Sequence, residues 1–341
     1  MNSSTSLLQK QQARAYYLWV LVFFLVISIF IGGLYYCTLK IDYTWRWFRV
    51  PQYFFYNEEV AVKTEYAGTV DSIKTNNANT TIYITEEGGE KKEYTIESNE
   101  PSKDVKVSEG DLVFAGDTIA SYKQWKVGIL LQGLWLTLYV SFIAILFGIV
   151  LGLFTGLARI SSNPAFKWLA ITYIELVRGS PLLVQIFIWY FVLGTLVNTM
   201  LARYGITQIP PLWFGVASLA TFTGAYVAEI VRSGIQSIHR GQTEASRSLG
   251  MTYTQSMYHV ILPQAFRRIL PPLAGQFISL IKDSSLLGII AIRELTKATR
   301  EVVTTSLQPF ELWFVCALLY LVLTFSLSML LQYLEKRSMY S

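Results

Sequence analysis

Six stretches of this chain are long and apolar enough to cross a bilayer, and no other sequence feature constrains the fold as strongly. They run Tyr16 to Thr38, Val127 to Leu157, Trp168 to Thr199, Pro211 to Val231, Ile269 to Ala291 and Phe310 to Leu334. A hydrocarbon core about 30 Å thick takes about 20 residues of helix at about 1.5 Å per residue. The 341 residues are 52% hydrophobic and 15% charged, against about 25% charged in soluble domains. The remaining charge gathers in short joints and in one polar block, residues 39 to 127. These features predict an all-α polytopic membrane bundle, five core transmembrane helices plus one N-terminal helix, with an inserted small all-β domain. The expected divisions are 1–38 (N-terminus and first helix), 39–126 (extracytoplasmic segment, its β domain at about 60–122) and 127–341 (transmembrane domain). The third run is interrupted at Arg178-Gly179-Ser180-Pro181, which predicts a shortened or broken span.

Basic residues orient the bundle. Lys10 and Arg14 precede the first run, which lacks a small-residue cleavage site and reads as an uncleaved anchor. Arg159 and Lys167 flank one joint, Arg232, Arg240, Arg247, Arg267 and Arg268 crowd another, and Lys336 and Arg337 lie near the end. If six spans alternate, all of these share one side, which the positive-inside rule makes cytoplasmic. Both termini are then cytoplasmic and the polar block is outside. The joint from Arg293 to Arg300 is an exception, offset locally by Glu294 and Glu301. The net charge of +5 is accounted for by cytoplasmic bases without invoking nucleic acid. Cys37 and Cys316 lie in apolar runs and read as small hydrophobes, and His239 and His259 suggest no metal site.

One polar segment, EASRSLGMTYTQSMYHVILPQAF from 244 to 266, lies between two spans. Glu244 sits near the start of a short helix, where a carboxylate suits the helix dipole. Gly250 fits the left-handed position that ends a helix. Thr252 and Gln255 match a capping box opening a second helix, which Pro263 is expected to limit near Leu262. Ala245, Ser246 and Ser248 keep the first helix slim enough for another protein to approach. On composition alone the segment is equally an ordinary helical loop.

Glu244-Ala245-Ser246, Gly250 and Ile261-Leu262-Pro263 resemble the EAA motif of permease subunits of bacterial ATP-binding-cassette importers, with Ser246 in place of a second alanine. Tyr173 to Gln185, Ala225 to Ser237 and Ser279 to Leu286 resemble segments of polar amino acid permeases, so that the likeness spans nearly all of 127 to 334. The resemblance implies coupling helices at 240–263 that dock on a separate ATPase through Glu244, Ala245, Gly250, Ile261 and Pro263. It implies a paired permease subunit, alike or different, an extracytoplasmic substrate-binding protein, and residence in the bacterial inner membrane.

Glu175, Arg178, Glu229, Lys282 and Asp283 lie within or at the ends of apolar runs. A mid-bilayer charge costs about 2.5–3.5 kcal/mol even on the milder scale, so such groups face partners or a wet path. Glu175 and Arg178, three apart, are expected to reach each other. Two readings are open for each charge: lining a route for an amino acid, or structural pairing at the membrane boundary. Gln185, Ser284 and Ser285 are uncharged path candidates. Gly148, Gly152 and Gly156 make two overlapping small-xxx-small pairs that permit close helix packing.

In the polar block, Val60 to Thr64 and Thr81 to Thr85 alternate like strands, with a turn at Asn76-Asn-Ala-Asn79. Gly68-Thr-Val70, Gly110 and Gly116 give a spacing similar to the lipoyl/biotinyl-like barrel-sandwich domain, also seen in membrane-fusion adaptors. The Asp-Lys or Met-Lys of carrier versions is missing, so no lipoyl or biotin group is expected. The block holds 15 acidic and 11 basic residues.

No Gly-x-x-x-x-Gly-Lys-Ser/Thr, nucleophile elbow or His-Glu-x-x-His occurs, so no cofactor and no enzymatic activity are expected in this chain; ATP belongs to a partner. The leading expectation is the permease subunit of an ATP-driven polar amino acid importer. Its rivals are a membrane-anchored adaptor built on the β domain and an importer of another small solute.

Overall fold

The structure, a computed structural model, describes residues 2–75, 79–86, 89–97 and 104–340, with side chains from 16 to 333 among them. The chain divides into two compact units, Met1–Phe48 and Arg49–Ser341. The first is helix α1 (Asn2–Lys40) and a short tail. The indole of Trp45 donates to Thr38 Oγ1 at 3.1 Å, closing the chain back on the helix end.

The chain passes from the first unit into the second within a 3-10 turn, Trp47–Tyr53, and then enters the β domain. Its strands are β1 (Phe55–Lys63), β2 (Gly68–Thr75), β3 (Asn79–Glu86), β4 (Lys91–Glu97), β5 (Asp104–Val105), β6 (Leu112–Val113) and β7 (Thr118–Val127). They form two sheets, β1-β7-β5 and β4-β3-β2-β6. Alternation along β3 sends Thr80, Ile82 and Ile84 inward, as the period of two requires. These isoleucines join Val70, Ile96, Val113, Ile119 and Ala120 in one core. The strand at Val60 does not pair with that at Thr81. β1 runs antiparallel to β7, and β3 pairs with β2 instead. Long-range pairing overrides sequence proximity here, since β1 and β7 both finish next to the bundle. Of the expected Asn-rich turn, residues 76–78 lie outside the described residues. Gly110 and Gly116 take turns with φ of +92° and +96°, whereas Gly68 lies within β2.

The bundle comprises α2 (Ile129–Arg159), α3 (Pro164–Arg178), a helix built of α4 (Leu182–Phe187), π turns at Ile188–Gly194 and α5 (Thr195–Arg203), then α6 (Pro211–Gln236). After these come α7 (Arg240–Ser248), α8 (Tyr253–Ser256), π turns at Met257–Ile261, α9 (Leu262–Asp283), a 3-10 segment at Ser284–Ile290, α10 (Leu295–Ser306) and α11 (Pro309–Tyr340). Six helical stretches among the described residues are long and apolar enough to span: Tyr16–Lys40, Ile129–Arg159, Leu182–Arg203, Pro211–Gln236, Tyr253–Ile290 and Pro309–Tyr333.

The expected third span, Trp168 to Thr199, is two elements. Gly179 and Pro181 end α3 at Arg178, and only Leu182–Arg203 is long enough to cross. Pro181 lacks an N–H and disfavours helix in the residue before it. The proline at 263 does not stop its helix. The five residues before α9 wind as π turns, Leu262 N–H reaching Met257 O. A wider turn accommodates a residue with no N–H to give.

The centre of the bundle is α2 against α6. A Cβ on Gly148 would lie 2.9 Å from Thr223 Cγ2, one on Gly152 2.5 Å from Val227 Cβ, and one on Gly156 2.8 Å from Ala228 O. The glycine stripe therefore sets how closely these two helices approach. Val140, Ala144, Leu182, Ile186, Leu219 and Leu280 complete the core around it.

Candidate functional site

Two short helices and the ends of three long ones build the candidate site. His239 Nδ1 accepts from Gly241 N at 3.1 Å and caps α7. Gly250, at φ +85°, reverses the chain after α7. A side chain there would suffer the strain of left-handed backbone. Thr252 Oγ1 then accepts from Gln255 N at 3.3 Å while Gln255 Oε1 accepts from Thr252 N at 2.8 Å, the reciprocal pair of a capping box.

The two helices are fastened to each other and to the bundle. The hydroxyls of Ser246 and Ser256, both buried, hydrogen-bond across the bend. Ile261 is buried with Val227, Val231, Ile235, Ile238, Ala265 and Ile269. Arg268 Nη1 donates to Ser237 O at 2.5 Å and Gln264 to Gln242 at 3.3 Å, tying the root of α9 to both sides of the α6–α7 joint.

What this leaves outward on α7 includes Arg240, Gln242, Glu244, Ala245, Arg247 and Ser248, followed by Leu249 at its C-cap and by Tyr253 and Tyr258 beyond the bend. Leu249 is 81% exposed. Of the sequence candidates for docking, Glu244, Ala245, Gly250 and Pro263 are exposed and Ile261 is not. Ile261 holds the bend in place from inside. Ser246 likewise faces inward, so the slim outer surface is made by Ala245 and Ser248.

A charge cluster joins three helices, α2, α3 and α6. Arg159, the last residue of α2, donates to Glu229 Oε2 on α6 at 2.9 Å and to Glu175 Oε1 on α3 at 3.4 Å. Arg232 Nε lies 3.1 and 3.0 Å from the two oxygens of Glu229, and Arg232 Nη1 donates to Gln236. The expected Glu175–Arg178 pair does not form. Glu175 turns to Arg159, and the Arg178 guanidinium lies over the Tyr226 ring, 5.2 Å from its centroid. Arg159 was visible in the sequence only as a boundary base, because its partner is 70 residues away.

The remaining path candidates do not converge. Gln185 is buried and donates to Val177 O at 2.7 Å and Ser180 Oγ at 2.9 Å, so it braces the break after α3. Ser284 is buried and donates to Ile281 O at 2.8 Å. Lys282 and Ser285 line a cavity of about 270 Å³ with Thr296, Trp313, Cys316 and Tyr320; Asp283, beside them, is half-buried.

Sequence reasoning missed Glu294. It is fully buried and caps α10, accepting from Thr296 N at 2.8 Å, Lys297 N at 2.7 Å and the Tyr320 hydroxyl at 3.0 Å. Burial raises its pKa above the ordinary carboxylate value, against the lowering effect of those hydrogen bonds. The surface bases nearby are met by Glu301 instead, 2.8 Å from Arg293 and 3.9 Å from Lys297. Its place directly before a helix was the one signal available, since an acidic residue there is a capping pattern.

Residues 148–340 match the family described as binding-protein-dependent transport system inner membrane component. The match includes α7, α8 and every residue of the charge cluster, and excludes α1 and the β domain. The probable glutamine ABC transporter permease protein GlnM of Bacillus subtilis (strain 168) is 41% identical over 207 residues, 61% of this chain and 92% of that protein. The glutamine transport system permease protein GlnP of Escherichia coli (strain K12) is 36% identical, covering 62% of this chain and 93% of its own length. A solved amino acid ABC transporter with histidines matches with TM-score 0.54 and 39% identity, over 61% of this chain and 94% of that one.

Proposed function

This chain belongs to the binding-protein-dependent transport system inner membrane components and is a permease subunit of an importer, and we propose that its cargo is a polar amino acid. The relatives named for glutamine transport support that choice of cargo. The importer is driven by ATP bound to a partner subunit, this chain contributing neither nucleotide site nor cofactor. Two permease subunits, alike or homologous, enclose the path, and an extracytoplasmic binding protein delivers the solute. Both termini, and the coupling helices at 240–263, lie in the cytoplasm; the segment 39–126 lies outside. Its two-sheet fold is read as barrel-sandwich-like, from the spacing of Gly68, Gly110 and Gly116 around short strands.

The observation that carries the coupling assignment is the outward face of α7. Glu244, Ala245 and Ser248 are presented on a helix that cannot pivot freely, because Gly250, the Ser246–Ser256 bond and the capping box lock it to α8. Through Ile261 and Arg268 that lock reaches α6 and α9. A push from a bound ATPase is thereby delivered to the helices that shape the path, as rigid-body switching requires. The candidate path residues are Lys282 and Asp283, with Glu175, Arg178 and Glu229 as the boundary network that α2, α3 and α6 share.

Co-purification tests the assignment. The native chain is expected to retain its ATPase subunit, and Glu244→Lys to lose it while the membrane domain stays folded. A native chain that retains no ATPase would overturn the coupling role and favour an adaptor.

A further inference from the structure

The β domain takes no part in the site above, yet its free end carries a surface built for contact. The ribbon of β1 and β7 is rooted beside Gly128 and runs from the pair Phe55–Val127 to the pair Lys63–Thr118. At about 3.3 Å per residue its far end lies about 26 Å from the root along the strand. There the turn after β6 is locked to Thr64. Thr64 N donates to Asp117 O at 3.0 Å, Gly116 N to Thr64 O at 2.8 Å, and Thr64 Oγ1 to Phe114 O at 2.6 Å. Phe114 N donates to Asp117 Oδ2 at 2.8 Å. This fixed turn leaves Phe114 68% exposed, near Leu112 at 76%; Tyr66, two residues after Thr64, is 46% exposed with Lys92 Nζ over its ring at 5.4 Å. Large apolar side chains held rigidly in solvent are the composition of a contact surface.

Against Leu112 and Phe114 opens a cavity of about 230 Å³ whose walls include Gly68, Asp71, Thr85 and Glu86. Asp71 is already engaged, 2.6 Å from Lys91 Nζ and 2.9 Å from Thr85 Oγ1. Those two donors hold its carboxyl below the usual carboxylate range. Glu86, by contrast, is half-buried: its Oε1 is shielded and accepts no hydrogen bond, and the nearby Lys92 pairs with Glu90 instead, so the open side of the carboxylate is left to an incoming donor. A buried carboxylate oxygen without a donor is costly. The complement is a cationic N–H donor on an apolar stem, which a lysine or arginine supplies: the stem packs on Phe114 and Leu112 while the head reaches Glu86.

Charge decides what kind of molecule brings that donor. Residues 60–122 carry twelve acidic and six basic side chains, so a second copy of this face would set like charges together, which is unfavourable. The family depends on a binding protein, and the distribution of bases puts the β domain on the side where such a protein arrives. We propose that Tyr66, Glu86, Leu112 and Phe114 form a docking surface for the importer's own solute-binding protein, which presents a lysine or arginine to Glu86. The proposal rests on the importer reading. It gives the inserted domain a task that the bundle leaves open: holding the solute-binding protein at its flank as it delivers to the path.

The test uses the full permease–ATPase complex in lipid nanodiscs and the solute-binding protein with which it transports. Glu86→Lys and Phe114→Asp are each expected to weaken binding of that protein at least tenfold, leaving retention of the ATPase and basal ATP hydrolysis unchanged. Glu86→Gln, which barely alters shape, is expected to weaken it several-fold. Reversing the partner's basic residue to glutamate is expected to restore binding to Glu86→Lys. Affinities within twofold of native for all three variants would overturn the proposal. So would self-association of the complex abolished by Phe114→Asp with the solute-binding protein unaffected. A complex that keeps no ATPase is a separate result, counting against the importer reading rather than this surface.

Discussion

Arg159 Nη1 lies 2.9 Å from Glu229 Oε2, across 70 residues of sequence, and the two side chains are only 19% and 23% exposed. This pair ties the last residue of α2 to α6, about two turns before α6 ends. A shielded ion pair is stiff because removing either member strands the other. Through it the C-terminal residue of α2 is held against α6. A double-mutant cycle of Arg159→Ala and Glu229→Ala, read by thermal unfolding in detergent, is expected to give a coupling energy of about 1–2 kcal/mol. Additive single effects would show the pair to be incidental.

The bend should be separable from the bundle. Gly250→Val forces a β-branched residue to φ +85°, a strain of about 1–3 kcal/mol. Thr252→Ala removes a cap worth about 1 kcal/mol. Both are expected to reduce ATPase retention while leaving detergent unfolding of the bundle within a few degrees of native. A bundle that melts with the bend would show that the two are one cooperative unit.

Gly152→Leu is expected to act on the bundle itself. Even the first added carbon meets Val227 Cβ at 2.5 Å, and overpacking of this kind costs about 1–3 kcal/mol. The measurement is the unfolding midpoint, with retention of the ATPase falling only as the folded fraction does. Full native stability in this variant would mean that α2 and α6 separate more easily than their packing suggests.

Glu294 supplies a pH prediction. Its pKa is raised by burial from an ordinary value of 4.5, so the folded state holds the proton more tightly than the unfolded one. The favourable contribution is complete below about pH 4.5 and is lost as pH rises through the raised folded value. Native protein minus Glu294→Gln should therefore show relative stability that declines as pH climbs above about 4.5 and then levels off. A difference that is flat with pH would place the carboxylate in a wetter environment than the structure gives it.

How much of this was legible beforehand depends on the range of the interaction. The spans follow from run length, apart from the third, which begins at Leu182 and not at Trp168. The Thr252–Gln255 capping box, the left-handed Gly250 and the close approach at Gly148, Gly152 and Gly156 each need only a few residues of context, and each appears where the pattern put it. What sequence could not show is choice of partner through space. Glu175 had Arg178 one turn away and took Arg159 instead. Val60 paired with Tyr122 rather than with the nearer strand. Pro263 looked like a stop because the five π residues before it carry no signature of their own. The docking candidates divide in the same way: exposure of Glu244 was inferable from polarity, but burial of Ile261 required knowing that α6 and α9 close over it.

The pairing of Phe55 with Val127 has an evolutionary corollary. Everything between those two residues leaves the membrane domain and returns to it through one doorway, with Phe54 O accepting from Gly128 N at 2.6 Å on the threshold. Chain ends that meet so closely can be bridged by a short hairpin turn, so the whole β domain is removable without rerouting any helix. A lineage could gain or shed it in a single genetic step, and an engineer could graft a different module onto the same two positions.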